Sequence, residues 1–116
     1  MKFLIANRPD ISMAAVEELA RQEFGLTGKL SELYSERDLN FRVLGGDEGD
    51  FVLKVSNARE ERALVEAQVL ALQFLARAAP DLPLPRVRVG TGGEPVVTHS
   101  GKDGASHACF ALSWLP

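Results

Sequence analysis

The residue that points most directly to chemistry is Lys54, set inside the run Phe51-Val52-Leu53-Lys54-Val55. An ammonium is costly to bury in so apolar a strand without a partner. In a sheet covered on one side only, alternation by itself would carry the side chain to solvent. Two neighbours weigh toward function. A helix carrying Glu66 among apolar residues follows directly, and a polar turn, Ser35-Glu36-Arg37-Asp38-Leu39-Asn40, lies upstream. Phosphoryl transfer of the protein-kinase type uses such a set: a strand lysine on the nucleotide phosphates, a helix glutamate that orients it, and a loop that covers the phosphates.

The elements that must position these residues are legible from periodicity. Residues 1–11 show no periodic signal and are expected to form a tail. From Ser12 the apolar positions Met13, Val16, Leu19 and Ala20 recur at helical spacing, with Ser12 as cap, Glu17 and Glu18 early and Gly25 after the end. Leu30, Leu33 and Tyr34 precede the polar turn. Phe41-Arg42-Val43-Leu44 alternates like a strand, Gly45 to Asp50 reads as a turn, and 51–55 is a strand again.

Asn57, with Glu60 three residues later, has the spacing of a capping box for a long helix from about Arg59 to Ala78. Apolar residues surround most of that helix, so it is expected to be covered on more than one side. Pro80, Pro83 and Pro85 end it, and Arg86–Val89, Pro95–Thr98 and the run through His107–Leu112 are short strands. The pattern predicts an α+β domain on a mostly antiparallel, five-stranded sheet.

Three segments resemble the amino-terminal lobe of the aminoglycoside phosphotransferase/choline kinase superfamily. They are Ser35-Glu36-Arg37-Asp38-Leu39-Asn40-Phe41-Arg42-Val43, Phe51-Val52-Leu53-Lys54-Val55-Ser56-Asn57 and Val65-Glu66-Ala67-Gln68. The subgroup they are most similar to is the hydroxylysine-kinase-like phosphotransferases, some of which are fused ahead of a class III aminotransferase. The resemblance covers residues 12–116. It implies a protein-kinase-like lobe in which Lys54 contacts the α- and β-phosphates and Glu66 pairs with it, with Glu60 and Glu61 as rivals. It also implies that Ser35, Arg37, Asn40 and Phe41 belong to the nucleotide-covering turn, and that Leu112 to Pro116, through Ser113 and Leu115, enter the hinge that meets the purine base.

The same resemblance implies ATP or GTP with Mg2+ as cofactors. The acceptor would be a small hydroxyl-bearing molecule, an amino acid or amino alcohol, that takes the γ-phosphoryl group. The family's catalytic aspartate and metal ligands belong to a carboxy-terminal lobe, and no His-x-Asp-x-x-x-x-Asn segment occurs here. These 116 residues alone are therefore expected to be catalytically inactive, although the parent would be a kinase. The competing expectation is a stand-alone, non-catalytic α+β binding or scaffold module.

Other residues carry weaker signals. Gly45 to Asp50 lacks the lysine of a P-loop and is too short for an EF-hand, and Gly90 to Gly93 reads as a strand connection. His99 and His107 lack partners at metal-ligand spacing, so no metal site is expected. Arg37 and Arg42 flank the turn and are candidates for phosphate, in competition with ion pairing. Trp114 is a candidate to stack on a base or to pack on another lobe. Cys109, the single cysteine, sits in an apolar run and reads as a buried thiol.

Composition bounds the classes. Apolar residues make up 46% and charged residues 25%, which suits one folded domain. Thirteen Lys and Arg against sixteen Asp and Glu give a net charge of −3, which offers no basic footprint for nucleic acid. No apolar run is long enough to span a bilayer, and Met1 to Ala6 is too short for a signal-peptide core, so a cytoplasmic setting is expected. Exposed Leu112, Trp114 and Leu115 are expected to drive self-association.

Overall fold

In the computed structural model, residues 9–35, 37–45, 48–101 and 104–115 are described. Two helices and six strands follow in the order α1 (Met13–Phe24), β1 (Leu30–Leu33), β2 (Leu39–Val43), β3 (Phe51–Val55), α2 (Arg62–Ala78), β4 (Val87–Arg88), β5 (Val97–Ser100) and β6 (Ser106–Ser113). Every strand pairing is antiparallel, and the sheet runs β1-β2-β3-β6-β4, with β5 also paired to β6. The sheet therefore has six strands rather than five. β4 and β5 share the same edge of the longest strand: β4 pairs at Ala111 and Leu112, and β5 pairs from Ser106 to Cys109.

The period of two in β2 and β3 divides the sheet into unlike faces. Leu39, Phe41, Val43, Phe51, Leu53 and Val55 are buried, while Asn40, Arg42, Val52 and Lys54 between them are half-exposed. The buried set joins Cys109 and Ala111 and packs against Val16, Leu19, Ala20 and Phe24 of α1. A smaller core on the other face sets Val65 and Val69 of α2 against Phe110 and Val96.

α1 starts as the sequence predicts: Ser12 caps it by accepting from the Ala15 N–H at 3.2 Å. At its end Gly25 takes a left-handed φ of 66°, which a side-chain-bearing residue adopts only at a cost. Its first turn holds no acid, because Glu17 and Glu18 lie one turn further on. The Gly90–Thr91 connection then closes over the last carbonyls, with Thr91 N–H donating to Glu23 O at 2.8 Å and Thr91 Oγ1 to Gln22 O at 2.7 Å. Gly90 is needed there, since a Cβ would stand 2.8 Å from both Glu23 O and Glu94 O. Of the expected tail, residues 1–8 lie outside the described residues, and Ile11 packs on the core.

α2 departs from expectation in two ways. It begins at Arg62 with Glu61 at the cap position, whereas Asn57 closes a turn of its own by accepting from the Arg59 N–H at 2.9 Å. The backbone N–H and Nδ2 of Asn57 both donate to Asp38 Oδ1, each at 2.8 Å, so its N–H is not open to the Glu60 carboxylate as a capping box requires. The helix is also covered on one side only: Val65 and Val69 are buried, while Leu64, Leu70 and Phe74 are 54%, 61% and 60% exposed.

Candidate functional site on the open sheet face

Lys54 stands on the half-exposed face, and the register places Asn40 directly opposite it on β2 and Phe110 opposite it on β6. Alternation thus sends this lysine out of the main core, as it would any lysine at that position. Its ammonium lies 5.8 Å from the centre of the Phe110 ring, where α2's cover of the sheet ends. Asn40 is half-buried, and its Oδ1 has no hydrogen-bond partner among the described residues although the atom is buried. An unpaired buried carbonyl of this kind is costly, and a donor arriving at the open face would relieve it.

The turn before β2 is tied to the start of α2. Ser35 Oγ accepts from the Asp38 N–H at 3.3 Å, and Asp38 in turn holds Asn57 through the two bonds to its Oδ1. Asp38 therefore fixes the turn relative to Asn57, which follows β3 and lies three residues past Lys54. Sequence reasoning gave Asp38 no role of its own, and its only signal was membership of the Ser35–Val43 block. Arg37 is exposed on this turn, and Glu36 lies outside the described residues.

Other expected site residues are placed elsewhere. Phe41 is 2% exposed in the core on the opposite face, a consequence of its odd position in β2, so it cannot line a site with Lys54. Glu66 does not meet Lys54. It pairs with Arg62 at 3.4 Å and lines a groove with Glu94, Pro95 and Val96 at the far edge of the sheet. Arg62 holds that edge by donating to Val96 O at 3.1 Å and to Thr98 Oγ1. Of the rivals, Glu61 is exposed at the helix cap and Glu60 is half-buried in the turn after Asn57.

The end of β6 is also committed within the chain. Ser113 Oγ accepts from the Arg86 N–H, and Ser113 N–H donates to Arg86 O, both at 2.8 Å. Trp114 N–H donates to Asp50 O at 2.9 Å, and the Arg42 guanidinium lies 4.0 Å from the Trp114 ring centre. Arg42 is on the same face as Lys54, yet it forms a two-bond pair with Asp50, at 2.9 Å from Nε and 2.7 Å from Nη2. That hydrogen bond, with the Gly45 N–H as second donor, holds the Asp50 carboxyl below its ordinary range. These contacts occupy the Ser113 hydroxyl and N–H, the Trp114 N–H and the Arg42 guanidinium, and Leu115 is exposed beyond them. The expected apolar patch is not formed, because Leu112 packs on the α2 core and Trp114 lies under Arg42.

Two groups are structural. His107 is 1% exposed and donates from Nδ1 to Ser56 O at 2.9 Å. Burial pushes the Cys109 thiol up to about 12, so it is protonated and unreactive at neutral pH.

Among the described residues, the open face carries one unpaired cation. Lys54 brings a positive charge with no ion pair among the described residues, whereas no group of three or more His, Cys, Asp or Glu among them is arranged to hold a cation. What this face supplies is the positive charge of Lys54 beside an open acceptor, Asn40 Oδ1.

An antiparallel sheet with the lysine-bearing third strand open to one side and a long helix directly after it is the α+β fold of a kinase amino-terminal lobe. Amicoumacin kinase hAmiN, solved in complex with AMP-PNP, Ca2+ and Ami, matches with a TM-score of 0.75 at 12% identity, over 99% of this chain and 34% of that one. The microcompartment-associated aminopropanol kinase matches with a TM-score of 0.70 at 16% identity, over 89% and 31%. In sequence, the hydroxylysine kinase of Danio rerio is 33% identical over 72 residues, which is 60% of this chain and 20% of that protein. No family model matches. The chain thus spans a fifth of the length of its curated relative and about a third of the solved kinases. These likenesses agree with the resemblance to the aminoglycoside phosphotransferase/choline kinase superfamily.

Proposed function

We propose that this chain supplies the nucleotide-binding half of a small-molecule kinase, with the open sheet face as its phosphate site. One observation carries the reading: Lys54, without an ion pair among the described residues, faces Asn40 across the β2–β3 ladder. Lys54 gives charge to the phosphate oxygens, and the Ser35–Asn40 turn, pinned by Asp38, covers them. Arg37, exposed on that turn, is a second cation within the same element. Leu115, exposed after β6, is the candidate to meet the purine. ATP or GTP is the donor, and in a longer protein of this class the acceptor is a hydroxyl on an amino acid or amino alcohol. Two relatives are named as kinases of hydroxylysine and of aminopropanol, an amino acid and an amino alcohol, which supports that acceptor class.

Lys54→Ala tests this reading. A lysine–phosphate contact contributes about 1.5–3 kcal/mol, so the variant is expected to bind ATP at least about tenfold more weakly while adenosine binding is unchanged. Equal ATP affinity in the two proteins, by equilibrium titration, would show that the phosphates do not sit on Lys54.

A further inference from the structure

α2 is apolar on two opposite sides. At about 100° per residue, Val65, Val69, Leu72 and Ala76 form the side that faces the sheet. Ala63, Ala67, Leu70, Ala71, Phe74 and Ala78 form a second stripe diametrically across the helix, with Leu70 and Phe74 each three-fifths exposed. A solvated helix face has no need of six apolar residues in register. The stripe also has a flank with charge: Glu66 borders it, beside a groove of about 230 Å³ that includes Glu94. Arg77 borders it on the same flank three turns on, exposed and without a hydrogen bond or ion pair among the described residues.

We propose that this stripe is an interface with a second copy of the chain, two α2 helices packing antiparallel about a twofold axis between Leu70 and Ala71. In that arrangement each Phe74 meets Ala67 of the second copy on the centre line of the stripe, while the two Leu70 side chains, on the charged flank, meet each other across the axis, as do the two Ala71 on the other flank. The twofold axis sets like flanks side by side. Arg77 of each copy therefore falls beside Glu66 of the other, at the mouth of the acidic groove that Glu94 completes. The antiparallel helix dipoles add in the same sense. One helix face buries less than the roughly 800 Å² per partner of a stable complex, so the dimer is weak and depends on concentration.

Sedimentation velocity from about 10 μM to about 1 mM tests the proposal, because a weak dimer is populated by mass action across that range. The wild-type chain is expected to shift from monomer to dimer. Phe74→Glu, at an exposed site, is expected to keep the circular-dichroism spectrum of the wild type and to weaken association at least about tenfold. Arg77→Glu should weaken it less, and combining it with Glu66→Arg should restore it, which a purely structural role for either residue would not produce. Three results would overturn the proposal. One is a monomer at every concentration, as expected if the stripe serves further polypeptide of a longer protein. Another is a dimer indifferent to Phe74→Glu, as expected if it forms through Leu115. The third is failure of the charge reversal to rescue.

Discussion

The two faces of the β2–β3 ladder are built from alternate residues of the same ten, yet they differ in every physical respect. On the closed face Leu39, Phe41, Val43, Phe51, Leu53 and Val55 are at most 8% exposed and pack beneath α1. On the open face Asn40, Arg42, Val52 and Lys54 are half-exposed, and α2 covers only the part of the sheet around β6. Packing is concentrated on the first face, whereas the second leaves Lys54 without an ion pair among the described residues. A one-residue slip of register would exchange them, so the apolar alternation that secures the fold also aims Lys54.

The largest effect that tests this division is on stability. Leu53→Ala removes a fully buried side chain and is expected to cost about 3 kcal/mol, whereas Lys54→Ala one residue away is expected to change stability by less than about 0.5 kcal/mol. Urea unfolding of the two variants measures both. Similar losses in the two would mean that Lys54 is a packing residue and the faces are not functionally distinct.

A smaller effect sharpens the contrast within the open face, where Arg42 is spent on Asp50 and Lys54 is not. Because Arg42 and the Gly45 N–H depress the folded-state pKa of Asp50 below its ordinary 3.8, the carboxylate's contribution to stability is complete above that value. It is lost as pH falls through the depressed pKa. Asp50→Asn should therefore be less stable than wild type at neutral pH, and the difference should shrink on acidification below about pH 4. Thermal melts across that range check the sign. A gap that stays constant with pH would mean the pair contributes nothing through charge.

Much of this was legible in the sequence, for identifiable reasons. α1 was fixed at both ends by Ser12 and Gly25, residues whose local chemistry needs no tertiary partner. β3 and the position of Lys54 followed from an unbroken apolar alternation. The capping-box reading of Asn57 failed because its side-chain oxygen accepts from Arg59 N–H and its N–H is taken by Asp38, nineteen residues earlier, a long-range bond that local spacing does not reveal. Glu66 was misplaced for a related reason. Helical periodicity puts it on α2 but does not say which flank faces β3, and the Arg62 contacts to β5 turn that flank to the opposite edge of the sheet. Phe41 shows the converse: the alternation that places Lys54 outward places Phe41 inward, and the motif resemblance alone obscured it. Arg42 and Trp114, each a candidate ligand by type, neutralise one another's availability through a contact between strand and chain end.

The central claim is that the open face holds nucleotide phosphates through Lys54. The chain has four lysines, Lys2, Lys29, Lys54 and Lys102, so the ε-methylene signals can be followed individually by carbon–proton NMR during an ATP titration. A phosphate site on Lys54 predicts a saturable shift there that greatly exceeds those of the other three and is absent with adenosine. Equal shifts at all four lysines, or none at Lys54 at millimolar ATP, would contradict it.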